Sequence, residues 1–307
     1  MKIGIDIGGS HVGIGLVDND GKIIEKEERY IIQKKGENEY IQGNVIYKEN
    51  LKKELEAFLI EGIKKIQYEN QIQNIGIAVP GTVSEKKIIK SVNLGLENYN
   101  LGEILEKNLH IKVKMRNDAK CSALAEQKYG ELKQYDNSLF LCIGTGIGGA
   151  VIFNRKLLEA QNVPGFEFSH MIIQKNGKLC NCGKRGCFEA YASLKRFKEN
   201  IIKEFNINTL DGKIIRKFII QNKDNIRLKF MINEYIENLS IGISNIVNIF
   251  EPEVICLGGS FSEYKDIFYE NLKSALLKGN LLFNKRDDII LKLAKFKNDA
   301  GIIGATI

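Results

Sequence analysis

One short stretch of the chain concentrates side chains that can bind metals and polar ligands: Glu167, His170, Cys180, Cys182, Cys187 and Glu189. The three cysteines have the spacing C-x-C-x4-C, and such a short loop brings three thiolates to one centre at a low entropic cost of closure. A structural zinc site is a closed tetrahedron of cysteine sulfur and histidine nitrogen. The pattern therefore predicts a structural Zn²⁺ with the histidine as its fourth ligand.

A disulfide with one spare thiol is the alternative interpretation of these cysteines. Export would favour it, because disulfides persist in oxidising compartments. The chain runs from Met1-Lys2 directly into the alternation Ile3-Gly4-Ile5-Asp6-Ile7, which lacks the charged, apolar and small-residue regions of a signal peptide. We therefore expect a cytoplasmic protein in which the thiols are reduced and bind a metal.

Two glycine-rich turns follow apolar strand patterns. They are Asp6-Ile7-Gly8-Gly9-Ser10 and Gly144-Thr145-Gly146-Ile147-Gly148-Gly149. Glycine lets backbone N–H groups approach phosphate oxygens, since a side chain would block the approach and many such positions need a positive φ. Asp6 adds a carboxylate that could hold a phosphate-bound Mg²⁺, usually through water. One such loop is equally consistent with a plain hairpin turn, but two in related contexts favour phosphate binding.

The nucleotide-binding classes that these loops exclude are also informative. The chain has no Walker A pattern and no convincing dinucleotide fingerprint, which disfavours a P-loop enzyme and a Rossmann dehydrogenase.

His11, directly after the first loop, is consistent with either a turn residue or a phosphate contact. Asp118 precedes a helical pattern, and taken alone it is best interpreted as a helix N-cap.

Length and composition indicate an ordinary globular protein of two domains. The chain has 307 residues, 44% of them hydrophobic, which is enough for two cores. The net charge of +7 is modest and the lysines, including those of the stretch 195–229, are interspersed with acidic residues, so we expect no nucleic-acid partner. No apolar run approaches the roughly 20 residues of a membrane helix, and we expect no membrane partner.

The two glycine loops lie in segments that resemble each other. In each, a strand leads into the glycine turn and a second strand leads out of it. This internal echo predicts two domains of related topology, with the turns facing one another across a cleft. A third strand-glycine-helix unit is predicted at 254–260. Helices are predicted over 51–67, 119–129, 189–205 and 240–250, and Cys121, Cys142 and Cys256 are expected to pack in apolar interiors.

Taken in order, these motifs resemble those of the ROK family (repressor, open reading frame, kinase), within the hexokinase, Hsp70 and actin superfamily. The resemblance covers nearly the whole chain. Its elements are the first phosphate loop at 6–10, the turn Pro80-Gly81, the segment Asn117-Asp118-Ala119, the second phosphate loop at 144–149, Glu167-Phe168-Ser169-His170, the cysteine knuckle at 180–189 and an adenosine motif at Gly258-Gly259. The knuckle with its following glutamate is the most family-specific of them.

The resemblance implies an α/β fold of two actin-like ATPase (ribonuclease H-like) domains with an interdomain cleft. We place the domains at residues 1–117 and 118–294, with about 295–307 as a segment that could pack back onto the first. A homodimer is also implied. The expected activity is that of an ATP-dependent hexose kinase acting on the 6-hydroxyl, with a hexose and ATP as partners and Mg²⁺ as cofactor.

The resemblance also implies residue roles, with Asp118 as the catalytic base. Sugar contacts fall to Gly81, Asn93, Asn117, Asp118, Glu167, His170 and Glu189. Nucleotide and Mg²⁺ contacts fall to Asp6, Gly8, Gly9, Ser10, Gly144, Thr145, Gly146, Gly258 and Gly259. The zinc ligands are His170, Cys180, Cys182 and Cys187, the histidine reaching the sugar with its second nitrogen. Carboxylates suit a neutral hexose because charge-assisted hydrogen bonds hold hydroxyls strongly.

The choice of substrate remains open at this point. Glucose leads, but N-acetylmannosamine kinases of the family share the same residues, and fructose, allose and N-acetylglucosamine are credible. Three departures lie beside the expected sites: His11 after Ser10, Ser169 in place of a glycine, and Phe166 where a small residue is common. A sugar-sensing regulator is the other functional class. Regulators of the family place a DNA-binding domain before the first loop, whereas here its strand starts at residue 3, which favours the kinase.

Overall fold

The computed structural model describes residues 1–32, 45–160, 165–209, 211–278 and 290–307. The strands in these ranges are β1 (Lys2–Ile7), β2 (His11–Val17), β3 (Ile23–Ile32), β4 (Val45–Tyr47), β5 (Ile75–Val79), β6 (Thr82–Val83), β7 (Ile88–Ser91), β8 (Leu96–Tyr99), β9 (Val113–Asn117), β10 (Ser138–Ile143), β11 (Ile147–Phe153), β12 (Lys156–Leu157), β13 (Val254–Gly258) and β14 (Ile290–Leu293). The α-helices are α1 (Leu51–Glu69), α2 (Leu101–Leu109), α3 (Asp118–Tyr129), α4 (Glu189–Ala192), α5 (Leu194–Phe205), α6 (Gly212–Gln221), α7 (Ile226–Phe250), α8 (Lys265–Lys278) and α9 (Ala300–Ala305). Short 3-10 helices lie at Lys48–Asn50, Phe168–His170, Gly259–Tyr264 and Lys297–Asp299.

The contacts within the chain divide it into two compact units. The first comprises Met1–Lys133, Ala160–Gly165 and Asn298–Ile307. The second comprises Gln134–Glu159 and Phe166–Lys297. No helix in the described ranges has the length and apolar character needed to cross a membrane.

The main sheet of the first unit has the strand order β4-β3-β2-β1-β5-β9. Strands β1, β2 and β3 form an antiparallel meander, while β5 lies parallel to β1 and β9 parallel to β5. Alternate side chains of β1 point to opposite faces, so Ile3, Ile5 and Ile7 join the core that also contains Phe58 of α1. A second, three-stranded sheet has the order β6-β7-β8.

The sheet of the second unit has the order β12-β11-β10-β13-β14. Along this order, the first two pairs of neighbouring strands are antiparallel and the last two pairs are parallel. Five consecutive strands of the main sheet of the first unit, from β3 to β9, show the same succession of pairings. This confirms the predicted internal echo, because each glycine loop joins the two strands of an equivalent antiparallel hairpin.

The division between the units falls after α3, at Lys133–Gln134, whereas the sequence predicts it at Asn117–Asp118. The physical reason lies in the packing of α3 against α9, the C-terminal helix. A side chain on Gly304 of α9 would overlap the backbone of Cys121 in α3. On the neighbouring sheet, Gly4 and Gly76 are paired in register, and a side chain on either would overlap the α9 backbone. Helices α3 and α9 therefore pack together within the first unit.

Two predicted helices differ from the observed ones. The helix predicted over 240–250 starts much earlier, at Ile226, where the side chain of Asn225 caps it by accepting a hydrogen bond from the amide of Leu228. The helix predicted over 189–205 is interrupted at Ser193, which has an extended conformation. Its hydroxyl accepts a hydrogen bond from the amide of Arg196 and so starts α5 as a separate helix. The helix predicted over 51–67 is confirmed as α1 and extends to Glu69.

Candidate active site and metal centre

Three of the predicted motifs follow the carboxyl ends of neighbouring parallel strands in the first unit. Asp6 is opposite Ala78 in the pairing of β1 with β5, and Val79 is opposite Asn117 in the pairing of β5 with β9. The first glycine loop, the turn at Gly81 and the start of α3 therefore lie at one edge of this sheet. In open α/β sheets, this carboxyl edge is where ligands bind.

Asn117 and Asp118 have different roles at the start of α3. The side-chain oxygen of Asn117 accepts hydrogen bonds from the amides of Ala119 and Lys120, at 3.0 and 3.3 Å. Asn117 is thus the N-cap, and the interpretation of Asp118 as the cap is wrong. Asp118 is the first residue of the helix, and one of its carboxylate oxygens also accepts from the amide of Ala119, at 2.8 Å.

The turn after β5 depends on Gly81. Its φ of 101° lies in the region that favours glycine, and a side chain there would overlap the carbonyl oxygen of Lys90. The carbonyl oxygen of Gly81 accepts a hydrogen bond from the side-chain nitrogen of Asn117, at 3.1 Å. Asn93, predicted to contact the sugar, lies beside the first glycine loop, since a Cβ on Gly9 would be 3.8 Å from the Cβ of Asn93.

The carboxyl group of Asp6 lies on the face of β1 that packs against α9, where a side chain on Gly301 would overlap it. Burial, and then the negative charge of Asp118, raise the pKa of Asp6 to about 7. Desolvation and a like charge both disfavour the ionised carboxylate. A cation at this position would instead favour the ionised carboxylate, so Asp6 is suited to interact with Mg²⁺.

The second glycine loop and the Gly258-Gly259 turn lie at the corresponding edge of the second sheet. Strands β10 and β13 are parallel, with Cys142 opposite Gly258. A Cβ on Gly144 would lie 3.7 Å from the hydroxyl oxygen of Ser260, so the two turns are in contact. Gly259 has a φ of 70°, which favours glycine. Ser260 was not among the predicted site residues, although its position directly after this turn could have indicated it.

The expectation that glycines of the phosphate loops need a positive φ is wrong for this protein. Among the residues that the structure describes, positive-φ glycines occur elsewhere, and none belongs to either loop. The loops are hairpin turns, closed in one case by a hydrogen bond from the amide of Gly8 to the carbonyl of His11, at 2.8 Å, and in the other from Gly144 to Gly146, at 2.9 Å. What glycine provides here is the space above the backbone.

The predicted metal ligands come together in the second unit. One ligand atom from each of His170, Cys180, Cys182 and Cys187 lies within 4.8 Å of all the others. The sulfurs of Cys182 and Cys187 are 3.6 Å apart, and Nδ1 of the histidine is 3.8 Å from the sulfur of Cys180. A tetrahedron with Zn–S bonds of about 2.3 Å places its sulfurs about 3.8 Å apart. The residues therefore fit a tetrahedral zinc.

The backbone of the knuckle explains how the short loop gathers these side chains. Bridges pair Ile172 with Cys187 and Leu179 with Arg185, and the amide of Cys180 donates to the carbonyl of Lys184 at 2.8 Å. Gly183 has a φ of 88° and allows this tight turn. All six cysteines are free thiols in the structure. Cys121 and Cys256 are buried as predicted, but Cys142 is partly exposed at the sheet edge.

The remaining predicted sugar contacts flank the metal ligands. Glu167 is exposed and precedes the 3-10 helix that carries His170, whose amide donates to the carbonyl of Glu167 at 3.1 Å. Since Nδ1 of this histidine faces Cys180, its other ring nitrogen is the one available to a second partner. Glu189 is the first residue of α4, and its carboxylate accepts a hydrogen bond from the amide of Ile147 at 3.0 Å.

Phe166 reaches the left-handed region, with a φ of 59°. This conformation is costly for a bulky residue. Its ring packs against those of Phe168 and Phe250, with centroids 6.4 and 6.3 Å away, and the latter two are 5.9 Å apart. The three rings hold the backbone next to Glu167.

Similarity to known proteins extends over nearly the whole chain. The model of the ROK family matches residues 2–307. A glucokinase of Thermotoga maritima is 28% identical over 99% of this chain and 95% of that protein. An N-acetyl-D-glucosamine kinase of Histophilus somni is 31% identical over 99% of this chain and 97% of that protein.

Other comparisons bear on regulation and on the fold. A xylose repressor of Caldicellulosiruptor bescii is 28% identical over 98% of this chain and 76% of the repressor. A ROK family glucokinase from Streptomyces griseus, solved with glucose and AMPPNP, has a TM-score of 0.79 at 21% identity, covering 99% of this chain and 97% of that one. Both sugar kinases and a repressor are thus similar to this chain over nearly its whole length.

Proposed function

The chain belongs to the ROK family and has the two-domain actin-like ATPase fold of its kinases, and we propose that it is an ATP-dependent hexose kinase that phosphorylates the 6-hydroxyl of glucose or a related hexose. One observation carries this proposal. At the carboxyl edge of the first sheet, Asn117 is the N-cap of α3, and the carboxylate of Asp118 lies at the first turn of that helix, directly after the strand neighbouring the Gly81 turn. The kinase relatives support the same activity.

In this mechanism Asp118 accepts the proton of the sugar 6-hydroxyl as the hydroxyl attacks the γ-phosphate of ATP. Phosphoryl transfer needs little covalent help from the protein, so positioning and charge compensation do most of the work. A general base contributes about 10²- to 10⁴-fold to the rate. Asp6 acts on the Mg²⁺-nucleotide side, where the metal supplies positive charge to the phosphates.

The other proposed roles concern the sugar and the nucleotide. The residues proposed to hold the remaining sugar hydroxyls are Gly81, Asn93, Asn117, Glu167, His170 and Glu189. Backbone groups hold the nucleotide. They belong to Gly8, Gly9, Ser10, Gly144, Thr145, Gly146, Gly258 and Gly259.

The proposed zinc ligands are His170, Cys180, Cys182 and Cys187. Their donor set is that of a closed structural site, which has no open position for a reacting water. The metal would cross-link the knuckle and fix the histidine ring, so that its second nitrogen is oriented toward the sugar. We propose a cytoplasmic location, a compartment in which such thiols are kept reduced. We also propose a homodimer, which light scattering coupled to size exclusion would test.

Two alternatives are favoured by specific relatives. The N-acetyl-D-glucosamine kinase supports an N-acetylhexosamine as substrate, with N-acetylmannosamine in the same class. The xylose repressor supports a sugar-binding regulator without catalysis. Fructose and allose are further hexoses to include.

A coupled assay of ADP release over a panel of hexoses and N-acetylhexosamines tests the proposal. We expect turnover with Mg²⁺-ATP to be highest with glucose. A much higher turnover with an N-acetylhexosamine would overturn the glucose assignment but keep the kinase. Binding of a sugar without any turnover would contradict the kinase and favour the regulator.

A further inference from the structure

The carboxylate of Glu189 contacts the second glycine loop. One oxygen, Oε2, accepts a hydrogen bond from the amide of Ile147, the residue with which β11 begins, at 3.0 Å. The same oxygen occupies the space above Gly146, where a Cβ would overlap it. One oxygen of this carboxylate therefore contacts the loop that is proposed to bind phosphate, through a single hydrogen bond.

A second hydrogen bond joins the same two segments of the chain. The amide of Lys195, in the first turn of α5, donates to the carbonyl oxygen of Gly144 at 3.1 Å. The segment that leaves the knuckle thus holds the glycine loop at both of its ends, through Glu189 at Ile147 and through the start of α5 at Gly144. Hydrogen bonds to an ionised group are about twice as strong as neutral ones, so the contact with the carboxylate is the stronger of the two.

We infer that Glu189 is a positioning residue shared by the sugar and the nucleotide, so that binding of either ligand strengthens binding of the other. This inference rests on the proposed function, in which Glu189 also holds a sugar hydroxyl. A sugar on one carboxylate oxygen fixes the side chain, and the other oxygen then fixes the amide of Ile147. Ordering a glutamate side chain costs conformational entropy. The first ligand to bind bears this cost, and the second therefore binds more tightly.

The inference makes a test possible in which the nucleotide loop is changed and sugar binding is measured without nucleotide. Gly146→Ala places a methyl group where Oε2 of Glu189 lies and must displace the carboxylate. Gly144→Ala is the matched control in the same loop, because its nearest neighbour would be the hydroxyl of Ser260 at an ordinary contact distance of 3.7 Å. Neither glycine has a positive φ, so alanine is compatible with both backbones.

By calorimetry with glucose, we expect Gly146→Ala to weaken binding about tenfold or more and Gly144→Ala to change it less than about twofold. Thermal unfolding and metal content report whether each variant is folded. Equal glucose affinities for the two variants would overturn the inference.

A thermodynamic cycle gives an independent readout that does not depend on Gly146. The affinity of Mg²⁺-AMPPNP is measured with and without saturating glucose, for the wild type and for Glu189→Gln. We expect glucose to tighten AMPPNP binding about five- to tenfold in the wild type, at the lower end of ordinary coupling, and less than twofold in the variant.

The outcomes of the cycle separate this inference from the proposed function. A wild type that binds both ligands without coupling, or a Glu189→Gln variant that retains the full coupling, contradicts the shared role of Glu189 alone. A wild type that binds neither glucose nor AMPPNP contradicts the proposed function, and the inference falls with it.

Discussion

The side-chain nitrogen of Asn117 donates a hydrogen bond to the carbonyl oxygen of Gly81 at a distance of 3.1 Å. The oxygen of the same side chain accepts from the first amides of α3. One asparagine thus joins the turn after β5 to the start of the helix that carries Asp118. Both segments follow adjacent strands, so this bond fixes the spacing between two parts of the proposed sugar site.

Replacing Asn117 separates its capping role from its bond to Gly81. Serine is a good N-cap but is too short to reach the Gly81 carbonyl, and alanine can do neither. We expect Asn117→Ala to be less stable than Asn117→Ser by about 1 kcal/mol, the usual value of a cap. Urea unfolding measures this difference. Both variants should bind glucose more weakly, and equal stability of the two would contradict the capping role.

The raised pKa of Asp6 predicts how stability depends on pH. Between about pH 4 and about pH 7, the folded protein holds a proton on Asp6 that the unfolded chain has lost. The stabilising contribution of Asp6 is therefore present at low pH and is lost as the pH rises through this window. We expect the stability of the wild type, relative to Asp6→Asn, to fall by about 2–4 kcal/mol over that range.

The exposed Asp20, in a turn of the same unit, provides the control. Urea unfolding at several pH values compares Asp6→Asn, Asp20→Asn and the wild type. Asp20→Asn should follow the wild type. If Asp6→Asn also follows it between pH 4 and 7, the account of Asp6 is wrong.

The left-handed conformation of Phe166 predicts an order among its variants. Phe166→Gly and Phe166→Ala both lose the ring contacts with Phe168 and Phe250, but only glycine adopts a φ of 59° without cost. We expect the glycine variant to be more stable than the alanine variant by about 1 kcal/mol. The reverse order in chemical unfolding would show that the backbone at this position is not strained.

The metal centre predicts one zinc per chain in protein purified without chelator. Cys187→Ser should lose the metal, because a buried ligand is removed, and stability and glucose affinity should fall together. Cys256→Ala, which removes a buried thiol elsewhere in the same unit, should keep the zinc. Mass spectrometry measures the zinc content of the wild type and of both variants. Near-zero zinc in a wild type that binds glucose normally would refute the site.

The sequence predicted features that depend on local pattern. The glycine hairpins, the helix at 51–67 and the gathering of the cysteines follow from periodicity and short spacing, and the structure has all three. The sequence does not predict that α7 begins as early as Ile226, because its capping residue, Asn225, lies far from the most apolar turns of the helix. The break at Ser193 was missed because the helical pattern continues on both sides of it.

Tertiary relationships could not be predicted in this way. The place of α3 beside α9 depends on close backbone contacts at Gly304, which join segments distant in sequence. The hydrogen bond from the amide of Ile147 to the carboxylate of Glu189 also joins segments that are distant in sequence. A glycine loop alone indicates space above the backbone, but only the folded chain shows which side chain fills it.

The catalytic role of Asp118 is the central claim, and turnover of Asp118→Asn tests it most directly. Asparagine keeps the shape and the hydrogen-bonding reach of the side chain but removes its basicity. We predict that kcat for glucose with saturating Mg²⁺-ATP falls about a hundredfold or more, while the glucose affinity by calorimetry changes much less. Near-normal turnover of Asp118→Asn would contradict the mechanism.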